Sequence, residues 1–375
     1  MTAFTDSAAR RPRGMVKVYS ASNQQGEVID AWLEFEVNNN NFYSADTFHC
    51  TFAASALPAN RNAGWFSAQK DMFIELFINN DIGSAQNSGF VSWIYGQVDE
   101  IDWNINTNTV SVSGRDLTRV FIDTKTTQKW YKKTSSQIAA QFAIEHGMQI
   151  VAGATTTPAG KWYDSDQIHM TEERSEWDIL NYLAEKEGYR VWVRGQTLYF
   201  MQAYSSGAPY QVTYEPGSQI GGAIANFEQL SLKRTLTVSR GIQVTIHSWN
   251  KEKAQGFTAN FPTASTGTIQ AGKSAAGSGI QVYRKTIPNL SQDQANTAAQ
   301  NWYAQLVAHE MKFDNLRMPG DNNLDVQTPI EIIGTMTAFD QTYFIDSISR
   351  HMSLEDGYSM TISGKNQETN SQATL

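Results

Sequence analysis

Apolar and polar residues alternate along most of residues 14–115, which is the pattern of half-buried β-strands. Leu33, Phe35 and Val37 are predicted to share one face of a strand, because successive side chains point to opposite faces of a sheet. Further strands are predicted at 16–19, 48–52, 72–78, 91–103 and 109–113. Short strands in this number favour a small barrel or a sandwich.

The period of the pattern changes to that of helices after residue 116. Residues 134–137 (TSSQ) form a capping box before a helix that Gly147 ends, and a second helix begins after Ser175 and stops at Gly188. Leu180 and Leu183 lie in the apolar stripe of the second helix and are predicted to pack it against a core. A hairpin with a tight turn at 195–196 follows, so residues 116–215 are predicted to form an α+β domain.

A third helix is predicted after a capping sequence at 291–294, with Trp302 and Leu306 on its packing face. Before it, residues 251–285 are rich in Gly, Ala, Ser and Thr and are predicted to form a long loop or a mobile hairpin. We expect residues 251–317 to complete the α+β domain. Strand patterns at 216–250 and 318–366 are predicted to form a second β-domain around this insertion.

The second β-domain repeats a pattern of the first. Residues 110–116 (VSVSGRD) align with 360–366 (MTISGKN), and Ile101 aligns with Ile348, with one extra residue in the second turn. The strand before each hairpin carries Ile-Glu and an aliphatic residue, at 74–76 and 330–332. Two unrelated hairpins can look alike by chance, but the shared preceding strand favours an internal duplication.

The predicted fold is therefore mainly β with α+β insertions: two related antiparallel β-barrel domains plus an α+β domain. The first barrel is assigned to residues 14–115. The positions predicted to close the two barrels are Ile101, Val110, Val112, Gly114, Ile348, Met360, Ile362 and Gly364.

Length and charge limit the possible functions. The 375 residues, of which 41% are hydrophobic, suggest two to three globular domains. A net charge of −8 argues against a general nucleic-acid binder, whose affinity rests on clustered Lys and Arg. The single cysteine, Cys50, excludes an internal disulfide and a Cys-rich zinc site. Residues 1–13 are predicted to be a flexible arm and 367–375 a polar tail, and without a signal segment we expect folding in the cytoplasm.

Candidate chemistry in the sequence is weak. Residues 267–274 (GTIQAGKS) match the phosphate-binding Walker pattern but lack the strand and helix that must flank it. His309-Glu310 lacks a second histidine at zinc-ligand spacing. The acids near 99–102 and 172–176 are better explained by a solvated strand edge and a solvated helix start than by a glycosidase pair. The sequence therefore predicts no enzyme, no catalytic or metal-binding residue and no cofactor.

Several segments together resemble the baseplate hub proteins of contractile phage tails, a family that includes phage late control protein D and the hub part of type VI secretion spikes. These segments are residues 113–118 (SGRDLT), 175–184 (SEWDILNYLA), 187–193 (EGYRVWV), 195–200 (GQTLYF), 318–321 (MPGD), 344–352 (FIDSISRHM) and 357–362 (GYSMTI). The resemblance covers roughly residues 16–365, and its motifs are patterns without catalytic signatures.

The resemblance implies a homotrimer in the virion, at the phage tail baseplate, assembled in the host cytoplasm. Each subunit would contribute two barrels, so three subunits would form a ring of six similar units. That ring would adapt the hexameric tail tube, through the tail tube protein or a tube initiator, to the trimeric central spike protein. Baseplate wedge proteins and the tape measure protein are the other partners considered, and DNA would pass through without specific binding or any membrane insertion.

Two alternatives stay open from the residues alone. A cell-wall or polysaccharide hydrolase rests on the acidic residues and the ten tryptophans. A carbohydrate-binding or receptor-binding tail protein accounts for the β-strands and aromatic residues, but not for the duplication or for the α+β insertion.

Overall fold

The computed structural model describes residues 10–41, 44–82, 89–130, 132–156, 158–159, 173–202, 208–217, 221–235, 242–250, 255–262, 281–287, 292–307 and 311–366. The predictions for residues 1–9, for the Walker-like sequence, for His309 and Glu310 and for the tail at 367–375 lie outside this part of the chain. The described chain is mainly β, with one large sheet and several small ones.

The first part of the large sheet is the N-terminal β-unit, residues 10–116. Its strands are β1 (Arg10–Ser20), β2 (Asn23–Val28), β3 (Trp32–Asn40), β4 (Thr47–Ala53), β5 (Met72–Ile82), β6 (Val91–Asn104) and β7 (Thr109–Asp116). Two 3-10 turns (Ala54–Ala56 and Ala59–Arg61) and the short helix α1 (Ala63–Ser67) connect β4 to β5. The spatial order is β3-β4-β7-β6-β5-β1-β2, and all neighbours are antiparallel.

Two expectations for this unit are wrong in detail. Residues 10–13 belong to β1, where they pair with residues 79–82 of β5, so a flexible arm does not extend to residue 13. Leu33 is 37% exposed, although Phe35 and Val37 are buried as predicted. The register of β3 shifts between Trp32 and Glu34, and this bulge turns Trp32 inward instead of Leu33.

The central module, residues 117–201, follows the N-terminal β-unit. It contains α2 (Thr118–Asp123), β8 (Lys125–Thr126), β9 (Lys133–Thr134), α3 (Ser135–Glu145), β10 (Gln149–Ala152), β11 (Pro158–Ala159), β12 (Arg174–Ser175), α4 (Glu176–Glu187), β13 (Arg190–Arg194) and β14 (Thr197–Met201). The predicted caps are confirmed. Gln137 Oε1 accepts from the Thr134 N–H at 3.0 Å, and Ser175 Oγ accepts from the Asp178 N–H at 3.1 Å. Gly188 ends α4 in the left-handed conformation.

The remaining chain contributes to two different sheets. Its elements are β15 (Tyr210–Glu215), β16 (Ile224–Ala225), β17 (Gln229–Arg234), β18 (Ile242–Asn250), β19 (Gln255–Phe261), β20 (Gln281–Thr286), α5 (Gln292–Val307), β21 (Met311–Pro319), β22 (Ile330–Ile333), β23 (Thr342–Ser353) and β24 (Gly357–Lys365). The strands β15–β17 and β21–β24 form the C-terminal β-unit of the large sheet. The strands β18–β20 and helix α5 form an outer module.

The outer module differs from the predicted domain boundaries. Strand β18 pairs with β19 and β20, and in the described residues none of these strands pairs with the large sheet. The apolar face of α5 packs on β18, in a core separate from that of the central module. Assigning residues 242–250 to the second β-domain was therefore wrong. Strand β15 was also misplaced, because it pairs with β22 in the large sheet.

The two β-units merge into one open sheet. The C-terminal unit has the order β17-β21-β24-β23-β22-β15, and β23 also pairs with β3 of the N-terminal unit. Across the described residues the pairing does not close into a barrel, and one continuous hydrophobic core serves both units. The prediction of a mainly β chain is confirmed, but its two β-units are joined edge to edge and are not separate closed barrels.

The hairpins β6–β7 and β23–β24 have the same register. Ile101 lies opposite Val112 in the first hairpin, and Ile348 lies opposite Ile362 in the second. Between Ile101 and the turn, β6 and β7 form three further cross-strand residue pairs. Between Ile348 and the turn, β23 and β24 form five. The second hairpin is therefore longer in its strands, and the expected single extra residue in the turn is wrong.

The strand that precedes each hairpin also pairs in the same way. Ile74 of β5 lies opposite Gly96 of β6, and Ile330 of β22 lies opposite Tyr343 of β23. Gly96 and Tyr343 occupy equivalent positions when Ile101 is matched to Ile348. The register across three strands thus agrees with the sequence alignment.

Each hairpin carries a bulge at an equivalent aspartate. The register of β6 shifts between Val98 and Glu100, leaving Asp99 unpaired in the ladder, and that of β23 shifts in the same way at Asp346. Asp99 accepts from Arg115 at 2.8 Å, and Asp346 lies 2.9 Å from Lys365, the residue that aligns with Arg115. A shared register, bulge and ion pair support an internal duplication.

The glycine that closes each hairpin is required by close packing. A Cβ added to Gly114 would lie 2.1 Å from the Gln97 carbonyl oxygen and 2.8 Å from the ring of Phe48 on β4. At Gly364 the Phe344 carbonyl oxygen and the Phe313 ring of β21 would each lie 2.6 Å away. Phe48 and Phe313 are therefore equivalent, which extends the duplication to a fourth strand.

We predict that Gly364→Ala lowers the free energy of unfolding by about 2 kcal/mol, because the methyl group forces the strands apart. Gly89→Ala is the matched control, since a Cβ there meets nothing within 4 Å. Chemical denaturation of both variants measures the difference. Equal stability of the two variants would contradict the proposed packing role.

Candidate assembly site: strand edges and the buried junction

The junction between the β-units is the antiparallel pairing of β3 with β23. It runs from Asn40 opposite Ser347 to Glu34 opposite Ser353. Asn41 extends it, because its side-chain Nδ2 donates to the Ile345 carbonyl oxygen at 2.8 Å. The chain connects these strands across about 300 residues, so the junction fixes the two β-units to each other.

Arg350 of β23 lies inside this junction with no exposed surface. Its guanidinium lies 3.6 Å from the ring centroid of Trp93, a cation–π contact. It donates to Asn39 Oδ1 at 2.5 Å and to the Leu324 carbonyl oxygen at 2.6 Å. Removal from water lowers the pKa of Arg350, and hydrogen-bonding partners offset part of that cost.

Asn39 connects Arg350 to the partly buried carboxylate of Asp46. Its Nδ2 donates to Asp46 Oδ2 at 2.7 Å, and Asp46 Oδ1 accepts from the backbone N–H of Asn40 at 2.8 Å. Burial raises the pKa of Asp46 to about 6, despite these hydrogen bonds. Burial, together with the negative charge of Asp46, also raises the pKa of Asp116 well above its ordinary value.

A cavity of about 300 Å³ lies beside these carboxylates, between the large sheet and the central module. Its walls include Asp46, Asp116, Asp325, Trp93, Trp177 and Trp192. Arg194 of the central module forms an ion pair with Asp325 of the C-terminal unit at its wall. The cavity marks the place where both β-units and the central module meet.

The second half of strand β6 has an edge with no strand partner in the described residues. The first half of β6 pairs with β5, but within the described residues no strand pairs with residues 100–104 on the edge away from β7. Glu100 and Asp102 are exposed there, and Trp103 is 49% exposed. An unpaired strand edge with exposed apolar surface is a place where another strand can add.

The residues predicted to close the barrels lie together in the shared core. Val110, Val112, Ile348, Met360 and Ile362 are buried, and Ile101 is partly buried against the same cluster. Gly114 and Gly364 lie under the two phenylalanine rings described above. Their role in closing a barrel stays a prediction.

The residues predicted to pack the helices lie in the two smaller cores. Leu180 and Leu183 are fully buried in the central module. Trp302 and Leu306 are partly buried in the outer module, where Trp302 packs edge-on against Tyr283.

One acidic residue is misread by the sequence pattern. Glu176, expected at a solvated helix start, is buried at the beginning of α4, and its Oε2 lies 2.6 Å from His146 Nε2. Burial raises the pKa of Glu176 against the opposing effect of His146. Asp99, in contrast, lies at a half-exposed edge with Arg115 and Arg119, as a solvated strand edge predicts.

Sequence reasoning missed Arg350, Asn39 and Asp46. The alternation of β23 did carry a signal, because Arg350 falls on the same strand face as the buried Ile348. A charged residue at an inward position predicts a buried partner. Which partner it finds depends on the pairing of β3 with β23, which local pattern does not encode.

No cluster of three or more His, Cys, Asp or Glu side chains in the described chain is placed to hold a metal ion. None of the helices in that part of the chain has both the length and the apolarity needed to cross a bilayer.

The fold is that of phage tail proteins and of related type VI secretion proteins. The tail protein from Neisseria meningitidis MC58 superposes with a TM-score of 0.68 at 14% identity, covering 96% of this chain and 99% of that one. The 43 kDa tail protein of prophage MuSo2 from Shewanella oneidensis gives 0.65 at 13% identity, with 97% and 100% covered. A chain of the Francisella PdpA–VgrG complex gives 0.56 at 10% identity, covering 97% of this chain and 59% of that one.

No protein-family model matches the chain, and no curated protein matches it by sequence. The structural likeness nonetheless confirms, at the level of the fold, the resemblance to tail hub and spike proteins inferred from sequence.

We predict that the stability of the wild-type protein rises as the pH falls from about 6 toward 4. The pKa of Asp46 is raised in the native state from 3.8 to about 6, so the native state binds more protons than the unfolded chain in this window. Asp46→Asn removes this contribution, and its unfolding free energy should depend less on pH. The control is Glu355→Gln on the exposed β23–β24 turn.

Urea denaturation of wild type and both variants at several pH values measures these slopes. Identical slopes for wild type and Asp46→Asn would contradict the partly buried state of Asp46.

We further predict that Arg350→Lys destabilises the protein by about 2–4 kcal/mol. Lysine cannot reproduce the planar stacking on Trp93 together with the two directed hydrogen bonds. Arg317→Lys, at an exposed ion pair with Glu228, should cost less than about 1 kcal/mol. Thermal and chemical denaturation measure both, and a similar effect at the two positions would argue against the junction as a main source of stability.

Proposed function

We propose that the protein is the structural baseplate hub of a contractile phage tail. In this role it is a homotrimer whose six β-units form a pseudo-sixfold ring. The ring adapts the hexameric tail tube on one side to the trimeric central spike on the other. Its partners are the tail tube protein or a tube initiator, the spike protein and the baseplate wedge proteins.

The duplicated register carries this proposal. Ile101–Val112 and Ile348–Ile362 are equivalent pairs, with the same preceding strand and the same bulged aspartate. A chain that presents the same unit twice lets three copies offer six similar positions to a sixfold partner. A single unit per chain would not reconcile the two symmetries.

The open sheet also supports a ring. Each β-unit leaves strand edges that a closed barrel would not have, and one such pair of edges is already joined within the chain by β3 and β23. Repeating this join between chains forms a continuous ring of strands. The barrel predicted from the sequence is, in this proposal, a property of the assembly and not of one chain.

The acidic charge is compatible with a channel for DNA. A net charge of −8 repels the phosphate backbone, so DNA passes through the ring without being held. A surface-potential map of the assembled ring that showed a basic lumen would remove this part of the proposal.

We predict that the purified full-length chain forms a complex of three times the chain mass, with a central hole visible in negative-stain images. Native mass spectrometry across a concentration series measures the stoichiometry, and class averages measure the ring. A digestion assay on purified peptidoglycan serves as a control for the hydrolase alternative and should show no activity.

A chain that stays monomeric both alone and with its tail tube and spike partners would exclude the hub function. A discrete dimer or an open filament would exclude it as well, because neither matches a threefold spike.

A further inference from the structure

We infer that residues 100–104 of β6 bind strand β17 of a second copy of this chain, antiparallel, with Asp102 opposite Lys233. This interface deepens the proposed function and rests on it, because it specifies how the copies join into a ring.

The internal junction between β3 and β23 is a precedent for this contact. Two strands share one edge of β23. Strand β22 pairs with the first residues of β23, and β3 pairs with the second half of β23. Strand β6 pairs with β5 through its first half in the equivalent way. Its second half, residues 100–104, is the place that corresponds to the β3 contact, and within the described residues no strand pairs with it on that edge.

The C-terminal unit contains a strand equivalent to β3. Val37 of β3 lies opposite Phe48, and Leu232 of β17 lies opposite Phe313. Phe48 and Phe313 are equivalent because each covers the hairpin glycine of its own unit. Strand β17 therefore corresponds to β3, and in the described residues its only strand partner is β21.

The register of the β3–β23 pairing predicts the register of β17 against β6. In the internal junction Val37 lies opposite Arg350, and Asn38 lies opposite Ser349. Arg350 corresponds to Trp103 of β6, since the bulged Asp346 corresponds to Asp99. The transferred register places Leu232 opposite Trp103.

The same register places Lys233 opposite Asp102 on the outer face of the sheet. Both side chains are exposed in the single chain. Lys233 Nζ lies 2.7 Å from Asp314 of its own chain, so Asp102 would add a second carboxylate beside the same ammonium group.

The transferred pairs are chemically complementary. Trp103 is 49% exposed at an inward-facing position, and Leu232 would cover its ring, so the contact removes apolar surface from water. Asp102 and Lys233 bring opposite charges together across the strands. The interface joins two different edges, so it is heterologous, and repeated copies close a ring if the rotation between them permits.

Disulfide trapping tests the register directly. The double variant Asp102→Cys/Lys233→Cys places two thiols on directly opposite residues, whose Cα atoms lie about 4.5–5.5 Å apart in an antiparallel pair. The native Cys50 is buried, which limits background reaction. Mild oxidation of the assembled full chain should give covalent oligomers up to the trimer on non-reducing gels.

The register control is Asn104→Cys/Lys233→Cys. In the inferred register these residues are diagonal, about 7–8 Å apart, which is too far for a disulfide. Each single cysteine variant is a second control and should stay uncross-linked. If Asn104→Cys/Lys233→Cys formed the disulfide and Asp102→Cys/Lys233→Cys did not, the inferred register would be wrong.

A charge variant gives an independent measurement. Asp102→Lys places like charges opposite Lys233 and should raise the concentration for half-assembly roughly tenfold. Glu355→Lys makes the same charge change on the exposed β23–β24 turn and should leave assembly unchanged. Far-UV circular dichroism checks that both variants are folded.

The outcomes separate the inference from the proposed function. Trimers that form normally in Asp102→Lys, with no trapping of the opposite cysteines, would refute this interface and leave the hub function standing. A wild-type chain that assembles into no ring even with its tail partners would refute the hub function and the interface together.

Discussion

The pairing of β3 with β23 is the interaction on which the rest of the structure depends. It connects strands about 300 residues apart, and it turns two similar sheets into one sheet with a single core. Contacts this distant in sequence are entropically costly to form, so they must be stabilised by burial and by directed polar contacts. The stacking of Arg350 on Trp93 and its hydrogen bonds to Asn39 and Leu324 supply such contacts.

Polar groups buried at this junction give it specificity as well as stability. Arg350, Asn39 and Asp46 come from three different segments, and each forms a hydrogen bond to the next. A shifted register would leave the guanidinium buried without partners, which costs several kcal/mol. The raised pKa of Asp46 shows the cost of keeping a carboxyl group in this environment.

Local features of the sequence predict more of this fold than its long-range connections. The Thr134 capping box, the Ser175 cap and the matched positions Ile101 and Ile348 follow from patterns a few residues long. The bulge that turns Leu33 outward, and the pairing of β18 with the outer module, depend on tertiary contacts that such patterns do not contain. The junction itself was missed for the same reason, although an inward-facing arginine marked its position.

The burial of Arg350 has a consequence for the order in which contacts form. Strands β3 and β23 belong to one polypeptide, so they meet at a high effective concentration, whereas strands of separate chains meet only by diffusion. Once the guanidinium is enclosed by Trp93 and Asn39, exchange of β3 onto another chain would require breaking a buried cation–π contact and a hydrogen bond. The β3–β23 contact is therefore formed more readily within one chain than between two chains, which disfavours domain swapping.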